Sequence, residues 1–334
     1  MANEIEKVNT IAIGDIEKLN TITEANIAKY NTFEMSSVNA WQGDRGVFGG
    51  GYTGSAYVNV MDYVSIASLN NAQDFGDLSN TMWYCRAESS GAGGRIVFYG
   101  GNDGSSDIAQ IDYITTASTG NAQDFGDTHA TGSAHGASSN GTRGVFSNGV
   151  GGRNGGDGTA YGYITFASTG DASTGGNLHA GTNLGSCGNN SRALFAGGLN
   201  SSTVPTNTVE YFNITSTDDG TDFGDLTSVR SAFDIATNGT KAVVVGGQNA
   251  SATLDTMDNM TIASTGDATD GGDLSSIRNR TSTVDNDSSS VFWGTTSVHN
   301  TGQLDTLNIA NNSTADSSYD RSTAAAGGGG ASGS

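Results

Sequence analysis

A short hydrophobic segment recurs along most of the chain. Its central residues are Phe48, Phe98, Phe146, Phe195, Val244 and Phe292, which follow one another at intervals of 48 to 50 residues. After each segment comes a run in which apolar and polar residues alternate, for example residues 61–66. Alternation of this kind is typical of a strand with one buried face. The pattern therefore predicts a series of similar β-units.

Each unit is long enough for four short strands joined by tight turns. Asn238-Gly239 is a turn of this kind, because both residue types accept the positive φ that a tight hairpin requires. Gly100-Gly101 and its equivalents end the second strand, where the missing side chains let neighbouring backbones approach closely. Six such units predict an all-β fold, a six-bladed β-propeller over residues 36–326.

A propeller closes when one blade takes strands from both ends of the chain. The segment before Arg45 is shorter than its equivalents, and residues 317–326 resemble residues 274–278. We therefore expect residues 318–326 to supply the missing strand of the first blade. Residues 327–334 contain only Gly, Ala and Ser, a composition that predicts a flexible tail.

Several repeated residues occur in the order found in kelch repeats. They are the glycine pair that ends the second strand, a tyrosine in the third strand and an aromatic residue in the fourth. On these residues the chain resembles the kelch-type β-propeller. Arg230 and Arg278 also occupy kelch-like places, which the resemblance assigns to the first strand of a blade. Three departures are Phe in place of the usual Trp in the fourth strand, Ser147-Asn148 in place of a glycine pair, and Gly294-Thr295 in the sixth unit.

Residues 1–35 carry a shorter repeat, in which residues 5–11 return as residues 16–22 and 27–33. β-Branched residues and Asn-Thr pairs interrupt each unit, so we expect single helical turns linked by extended pieces. The large apolar residues have no core of their own, which predicts an arm that docks on a partner or a neighbouring subunit. The alternative is that the arm packs on its own propeller. The predicted docking residues are Ile5, Val8, Ile11, Ile16, Leu19, Ile22, Ile27, Tyr30 and Phe33.

Acidic residues outnumber basic ones by 34 to 14, which gives a formal net charge of −20. Nucleic acid and anionic membranes bind patches of Lys and Arg, so we expect neither as a partner. The two cysteines, Cys85 and Cys187, do not have the number or spacing of a disulfide framework or a zinc site, and we expect no metal site and no cofactor. The N-terminal residues lack the pattern of a signal peptide, which predicts assembly in a cytoplasm.

The motif Asp-Phe-Gly-Asp occurs at residues 74–77, 124–127 and 222–225. It recurs from unit to unit and no Gly-rich phosphate loop accompanies it, so it is not the magnesium-binding motif of kinases. We interpret it as blade architecture that caps turns and packs neighbouring blades together. Calcium binding by its aspartates is the alternative.

Function on a propeller is usually carried by residues that do not repeat, because these lie on loops held by a rigid ring. Aromatic rings beside Asn, Asp and Arg suit sugar binding, since rings stack on pyranose faces and polar groups bind hydroxyls. A place in the core is favoured for Trp83 and Trp293, and Arg153 is the clear exception to the repeat positions of the arginines. The candidate ligand-facing residues are Trp41, Arg153, Asn154, Asp157, Tyr161 and His299.

An Ile-Glu-Lys-x-Asn arm before Gly-, Ser-, Thr- and Asn-rich blades resembles structural proteins of marine tailed bacteriophages. The resemblance implies a non-enzymatic virion protein of decoration or fiber type, exposed on the particle surface as part of an oligomeric assembly. Its arm would bind other virion proteins, and its propeller would serve as decoration or adhere to host-surface glycans. Two alternatives are a host-encoded kelch-like module that binds proteins or glycans, and a propeller glycosidase or oxidase.

Overall fold

The computed structural model describes residues 43–91, 94–133, 135–147, 160–178, 182–296, 302–323 and 325–333, and the backbone of four short strands between Lys18 and Glu34. Contacts divide the chain into two compact units, Met1–Val38 and Asn39–Ser334. Within the described residues every regular element is a β-strand, so none of them forms a helix that could cross a membrane.

The described part of the first unit consists of two short strand pairs. Strand β1 (Lys18–Leu19) pairs with β2 (Ile22–Thr23), and β3 (Lys29–Tyr30) pairs with β4 (Phe33–Glu34). Both pairs are antiparallel. The predicted helical turns are therefore wrong for these residues, because β-branched and aromatic residues at the repeat positions favour paired, extended backbone.

The second unit is a ring of six four-stranded antiparallel blades, as predicted. Blade 1 contributes β5 (Arg45–Tyr52), β6 (Tyr57–Ser65) and β7 (Gln73–Asp77). Blade 2 contains β8 (Arg86–Ser89), β9 (Arg95–Tyr99), β10 (Gln110–Thr115) and β11 (Gln123–Asp127). Blade 3 contains β12 (Ala137–Ser139), β13 (Arg143–Phe146), β14 (Ala160–Thr165) and β15 (Ser173–Asn177).

The remaining blades follow the same order from the innermost to the outermost strand. Blade 4 contains β16 (Gly185–Gly188), β17 (Arg192–Ala196), β18 (Thr206–Asn213) and β19 (Thr221–Arg230). Blade 5 contains β20 (Asp234–Thr237), β21 (Lys241–Val245), β22 (Thr256–Thr261) and β23 (Thr269–Asp273). Blade 6 contains β24 (Asn279–Asp285), β25 (Ser289–Thr295), β26 (Gln303–Asn308) and β27 (Thr314–Asp320), and β28 (Gly329–Gly333) returns to blade 1.

Strand β28 closes the ring as the innermost strand of blade 1, where Gly330 pairs with Phe48. This corrects two expectations, the closing strand at residues 318–326 and the flexible tail at residues 327–334. The glycines are there because the strand has no room for larger residues. A Cβ atom on Gly330 would lie 2.7 Å from Ser282 Oγ and 2.9 Å from Phe48 Cδ1.

Adjacent blades share apolar cores. Phe233 lies just before β20 and is fully buried against Leu194 of blade 4 and Val244 of blade 5. Its ring fills the space beside Gly185, where a Cβ atom would lie 2.1 Å from Phe233 Cε2. Burial of a ring of this size stabilises a fold by about 3–5 kcal/mol relative to alanine. The core therefore joins blades to one another rather than filling each blade separately.

The Asp-Phe-Gly-Asp motif joins neighbouring blades, as interpreted from the sequence. The backbone N–H of Asp77 donates to Asn121 Oδ1 of blade 2 (3.0 Å), and the N–H of Gly120 donates to the carbonyl oxygen of Phe75 (2.7 Å). The first aspartate of the motif acts within its own strand, at a bulge in β11, where Asp124 Oδ1 accepts a hydrogen bond from the N–H of Gly126 (3.1 Å).

Among the described residues, three buried ion pairs join the chain leaving an outer strand to the blade that follows. Arg230 contacts Asp258 at 3.0 Å, Arg278 contacts Asp305 at 2.6 Å, and Arg321 contacts Asp62 at 3.1 Å. Arg230 is the last residue of the outer strand β19, so its predicted place in a first strand is wrong. Residues 317–326 resemble residues 274–278 because each segment contains an arginine of one of these ion pairs, and not because residues 317–326 form the closing strand.

Candidate ligand-binding site

The six innermost strands surround a central channel. In each described segment that leads into one of these strands, one residue has a left-handed backbone conformation. These residues are Tyr84 (φ 57°), Asn183 (φ 56°), Ala232 (φ 57°), Arg280 (φ 50°) and Gly327 (φ 67°). Each lies two positions before the residue that begins regular pairing with the second strand of its blade. We call this set the mouth ring, because it lies where the innermost strands begin.

Backbone hydrogen bonds connect members of the mouth ring from blade to blade. The N–H of Ala232 donates to the carbonyl oxygen of Asn183 (2.9 Å), and the N–H of Arg280 donates to that of Ala232 (2.6 Å). The N–H of Tyr84 donates to the carbonyl oxygen of Gly327 (2.5 Å) across the closure between blades 1 and 2. Non-glycine residues rarely adopt a positive φ, and where they do the cost is of order 1–3 kcal/mol each. Here the hydrogen bonds between blades hold that conformation.

Four part-exposed aromatic residues cluster beside the mouth ring, and we call them the aromatic platform: Tyr52, Tyr57, Trp83 and Tyr84. Trp83 is central, with its ring centroid 4.1 Å from that of Tyr84, 5.6 Å from that of Tyr52 and 5.7 Å from that of Tyr57. The tyrosines at positions 52 and 57 flank the turn between β5 and β6. This turn lies at the face of the ring where the innermost strands begin, because strands within a blade are antiparallel.

Arg280 extends from blade 6 to the aromatic platform. Its Nε atom donates a hydrogen bond to the hydroxyl oxygen of Tyr84 (2.7 Å), and its guanidinium carbon lies 5.7 Å from the centroid of that ring. Gly327 occupies the mouth-ring position between them, and a Cβ atom there would lie 2.8 Å from Trp83 Nε1. The glycine therefore leaves space for the rings of Trp83 and Tyr84.

Inside the channel a small cavity of about 60 Å³ lies among all six innermost strands. Arg86 crosses it from blade 2 to blade 5, where its Nη2 atom donates to the carbonyl oxygen of Phe233 (3.3 Å). Two carboxyl groups on the lining, those of Glu88 and Asp285, have a pKa raised to about 8 by burial, and the negative charge of Asp234 adds to the rise. The cavity has room for a few waters, and its carboxyl groups can bind protons.

The described residues contain no group of His, Cys, Asp or Glu arranged to hold a metal ion. Asp285 Oδ2 accepts a hydrogen bond from the backbone N–H of Thr237 (3.1 Å), and Asp234 Oδ2 accepts one from that of Thr283 (3.0 Å). Both bonds join blades 5 and 6, so these carboxyl groups hold neighbouring blades together.

Among the candidate ligand-facing residues, the structure corrects Tyr161. This residue lies in β14 with a fully buried side chain, its ring stacked on that of Phe212 at 4.1 Å between centroids. Its hydroxyl donates to the carbonyl oxygen of Asp218 (3.0 Å). A loop residue was predicted because the repeat is interrupted just before it. The other candidates, Trp41, Arg153, Asn154, Asp157 and His299, lie outside the described residues.

The predicted arm residues fall into two groups. Leu19 is the backbone partner of Ile22, and Tyr30 is the partner of Phe33. The rest lie outside the described residues: Ile5, Val8, Ile11, Ile16 and Ile27.

Sequence reasoning overlooked Arg280, Tyr52 and Tyr57. Arg280 follows the repeat arginine Arg278 by two residues, and that second arginine was the available signal. Trp293 is fully buried, as predicted, whereas Trp83 is part-exposed in the platform. The two tryptophans differ because Trp293 lies within a second strand and Trp83 lies on a connection between blades.

Comparison with known proteins adds no family to this description. No protein-family model matches the chain, and no curated protein matches its sequence.

Proposed function

We propose that this chain is a displayed, non-enzymatic carbohydrate-binding protein. The observation that carries the proposal is the aromatic platform, a cluster of four part-exposed rings at one face of the propeller. Aromatic faces pack against the apolar faces of sugar rings, and the phenol and indole groups at their edges bind hydroxyls. A rigid ring that places them at one face favours binding through preorganisation.

The wider setting in this proposal is a virion surface, with the kelch-like propeller displayed and the arm bound to other virion proteins. Support for it comes from the repeat in residues 1–35 and from their separation as a compact unit from the propeller. Leu19, Ile22, Tyr30 and Phe33 provide paired apolar positions on the arm for such a contact.

Carbohydrate binding is tested with the full-length chain on a glycan array. The variants Tyr57→Leu and Trp83→Leu remove rings from the platform and keep apolar volume. Tyr63→Leu is the matched control, since this part-exposed ring packs on Phe75 and Arg45 away from the platform. Binding that is lost in the platform variants and kept in the control supports the proposal. Wild-type chain that binds no glycan contradicts it.

Docking of the arm is tested by co-sedimentation with particles from the source. The comparison is between the wild-type chain and a variant in which Leu19, Ile22, Tyr30 and Phe33 are replaced by serine. Loss of co-sedimentation with a retained β-sheet spectrum is expected. A variant that sediments as well as the wild type would place the contact on the propeller.

A further inference from the structure

We propose that the aromatic platform takes an acidic sugar, whose carboxylate binds the two Nη groups of Arg280. This inference rests on the proposed carbohydrate-binding function and adds the chemical class of the ligand. It is carried by the difference between Arg280 and every other described arginine.

The other described arginines bind carbonyl oxygens or carboxylates of the protein itself. Arg95 is typical of the repeat, with its Nη1 donating to the carbonyl oxygen of Phe166 (2.7 Å) and its guanidinium carbon 4.6 Å from the ring centroid of Tyr113. The arginines held in such contacts are Arg45, Arg86, Arg95, Arg143, Arg192, Arg230, Arg278 and Arg321.

The side chain of Arg280 has one hydrogen-bond partner among the described residues, the hydroxyl of Tyr84, and it uses Nε alone. Its Nη1 and Nη2 groups have no acceptor there, and no described carboxylate pairs with them. This sets Arg280 apart, because other part-exposed arginines such as Arg45 and Arg95 bind a carbonyl oxygen through an Nη group. A planar guanidinium with two unengaged donors matches the two oxygens of a carboxylate.

The backbone at Arg280 has the left-handed conformation that all described members of the mouth ring share. Its φ of 50° would be met by glycine at lower cost, and the equivalent residue of blade 1 is Gly327. The bond from Arg280 Nε to Tyr84 fixes the direction of the guanidinium beside the platform.

The net charge of the chain restricts how many negative charges the ligand can carry. The net charge of −20 repels a long polyanion, whereas a single carboxylate on a terminal sugar meets only the local positive charge of Arg280. The sugar ring then lies over the platform while its carboxylate reaches the Nη groups. A neutral oligosaccharide that ends in one uronic acid has this chemistry, and its carboxyl-reduced form provides a neutral probe of nearly the same shape.

The test uses calorimetry to measure the affinity of the full-length chain for an oligosaccharide with one terminal uronic acid and for its carboxyl-reduced form. We expect the acidic probe to bind the wild-type chain more tightly, and Arg280→Gln to weaken that binding by about tenfold or more without changing the neutral probe. Arg280→Lys is expected to restore part of the loss, because it keeps the charge without the fork. Lys241→Gln is the control, since it removes an equal charge from the start of β21 at the opposite face.

Two outcomes overturn the inference. If both probes bind the wild type equally, or if Arg280→Gln weakens both equally, the ligand is a neutral sugar and the proposed function stands. If neither probe nor any arrayed glycan binds, the proposed function fails and the inference fails with it.

Discussion

Arg280 Nε and the hydroxyl oxygen of Tyr84 are 2.7 Å apart, although the residues belong to blades 6 and 2 and are separated by 196 positions in sequence. The contact passes the mouth-ring position of blade 1, which is glycine. It joins the aromatic platform to a cation and so defines the candidate site.

Tyr84→Phe removes the acceptor for Arg280 and keeps the ring. We expect the free energy of unfolding to change by about 1 kcal/mol or less, because the bond is part-exposed. Affinity for the acidic probe is expected to fall several-fold, since the guanidinium is no longer held in one direction. Titration calorimetry and urea unfolding measure the two effects. Tyr63→Phe, which loses a hydroxyl bonded to Gln73, serves as the control. Unchanged affinity in Tyr84→Phe would show that the bond does not position Arg280.

Removal of β28 is expected to open the propeller. A chain ending at Ala326 lacks the innermost strand of blade 1, and with it five paired positions between Gly329–Gly333 and β5. Gly330→Val tests the same strand without truncation, since its side chain would overlap Phe48 and Ser282. Both should lower the melting temperature strongly. Overpacking costs about 1–3 kcal/mol, and an unpaired strand should cost at least as much. The melting temperature would not change if residues 327–334 were a flexible tail.

Stability is expected to decrease with rising pH because of Glu88. Burial raises the pKa of this carboxyl from 4.5 to about 8, so the folded chain holds its proton more firmly than the unfolded chain does. The free energy of unfolding therefore falls as pH rises from about 4.5 to about 8. Asp285, raised from 3.8 to about 8 by burial, acts in the same direction.

Glu88→Gln should flatten this dependence, as measured by urea unfolding across the pH range. Asp103→Asn is the control, because Asp103 is part-exposed and its pKa is lowered by hydrogen bonds from the backbone N–H groups of Ser106 and Ser105. A slope in Glu88→Gln equal to that of the wild type would show that Glu88 does not hold a proton in the channel.

The buried pair of Arg278 and Asp305 gives a further prediction. Arg278→Met leaves the Asp305 carboxylate buried without its cation, which should cost about 3–5 kcal/mol. The double variant Arg278→Met with Asp305→Leu should recover most of that loss, since neither charge is then desolvated. Urea unfolding of the three proteins measures the difference. A double variant as unstable as the single one would contradict this account and point to packing by the arginine stem.

Local pattern was enough to predict the blades. Phe48 and its equivalents recur at a nearly constant interval, and each is followed by a run of alternating apolar and polar residues. Both features depend only on residues that are close together in the sequence. The role of the Asp-Phe-Gly-Asp motif was also predictable, because a motif that repeats with the blade serves the blade. The sequence by itself thus determined the all-β class, the six blades and the joints between them.

Tertiary structure alone decided the features that depend on distant residues. Residues 327–334 have the composition of a tail, yet Gly330 is required because Phe48 and Ser282 occupy the space around it. Arg280 becomes a site residue through Tyr84, which lies four repeats away. Composition and periodicity record what a residue prefers locally. Ring closure brings together residues from opposite ends of the chain, and only the folded structure determines which side chains then meet.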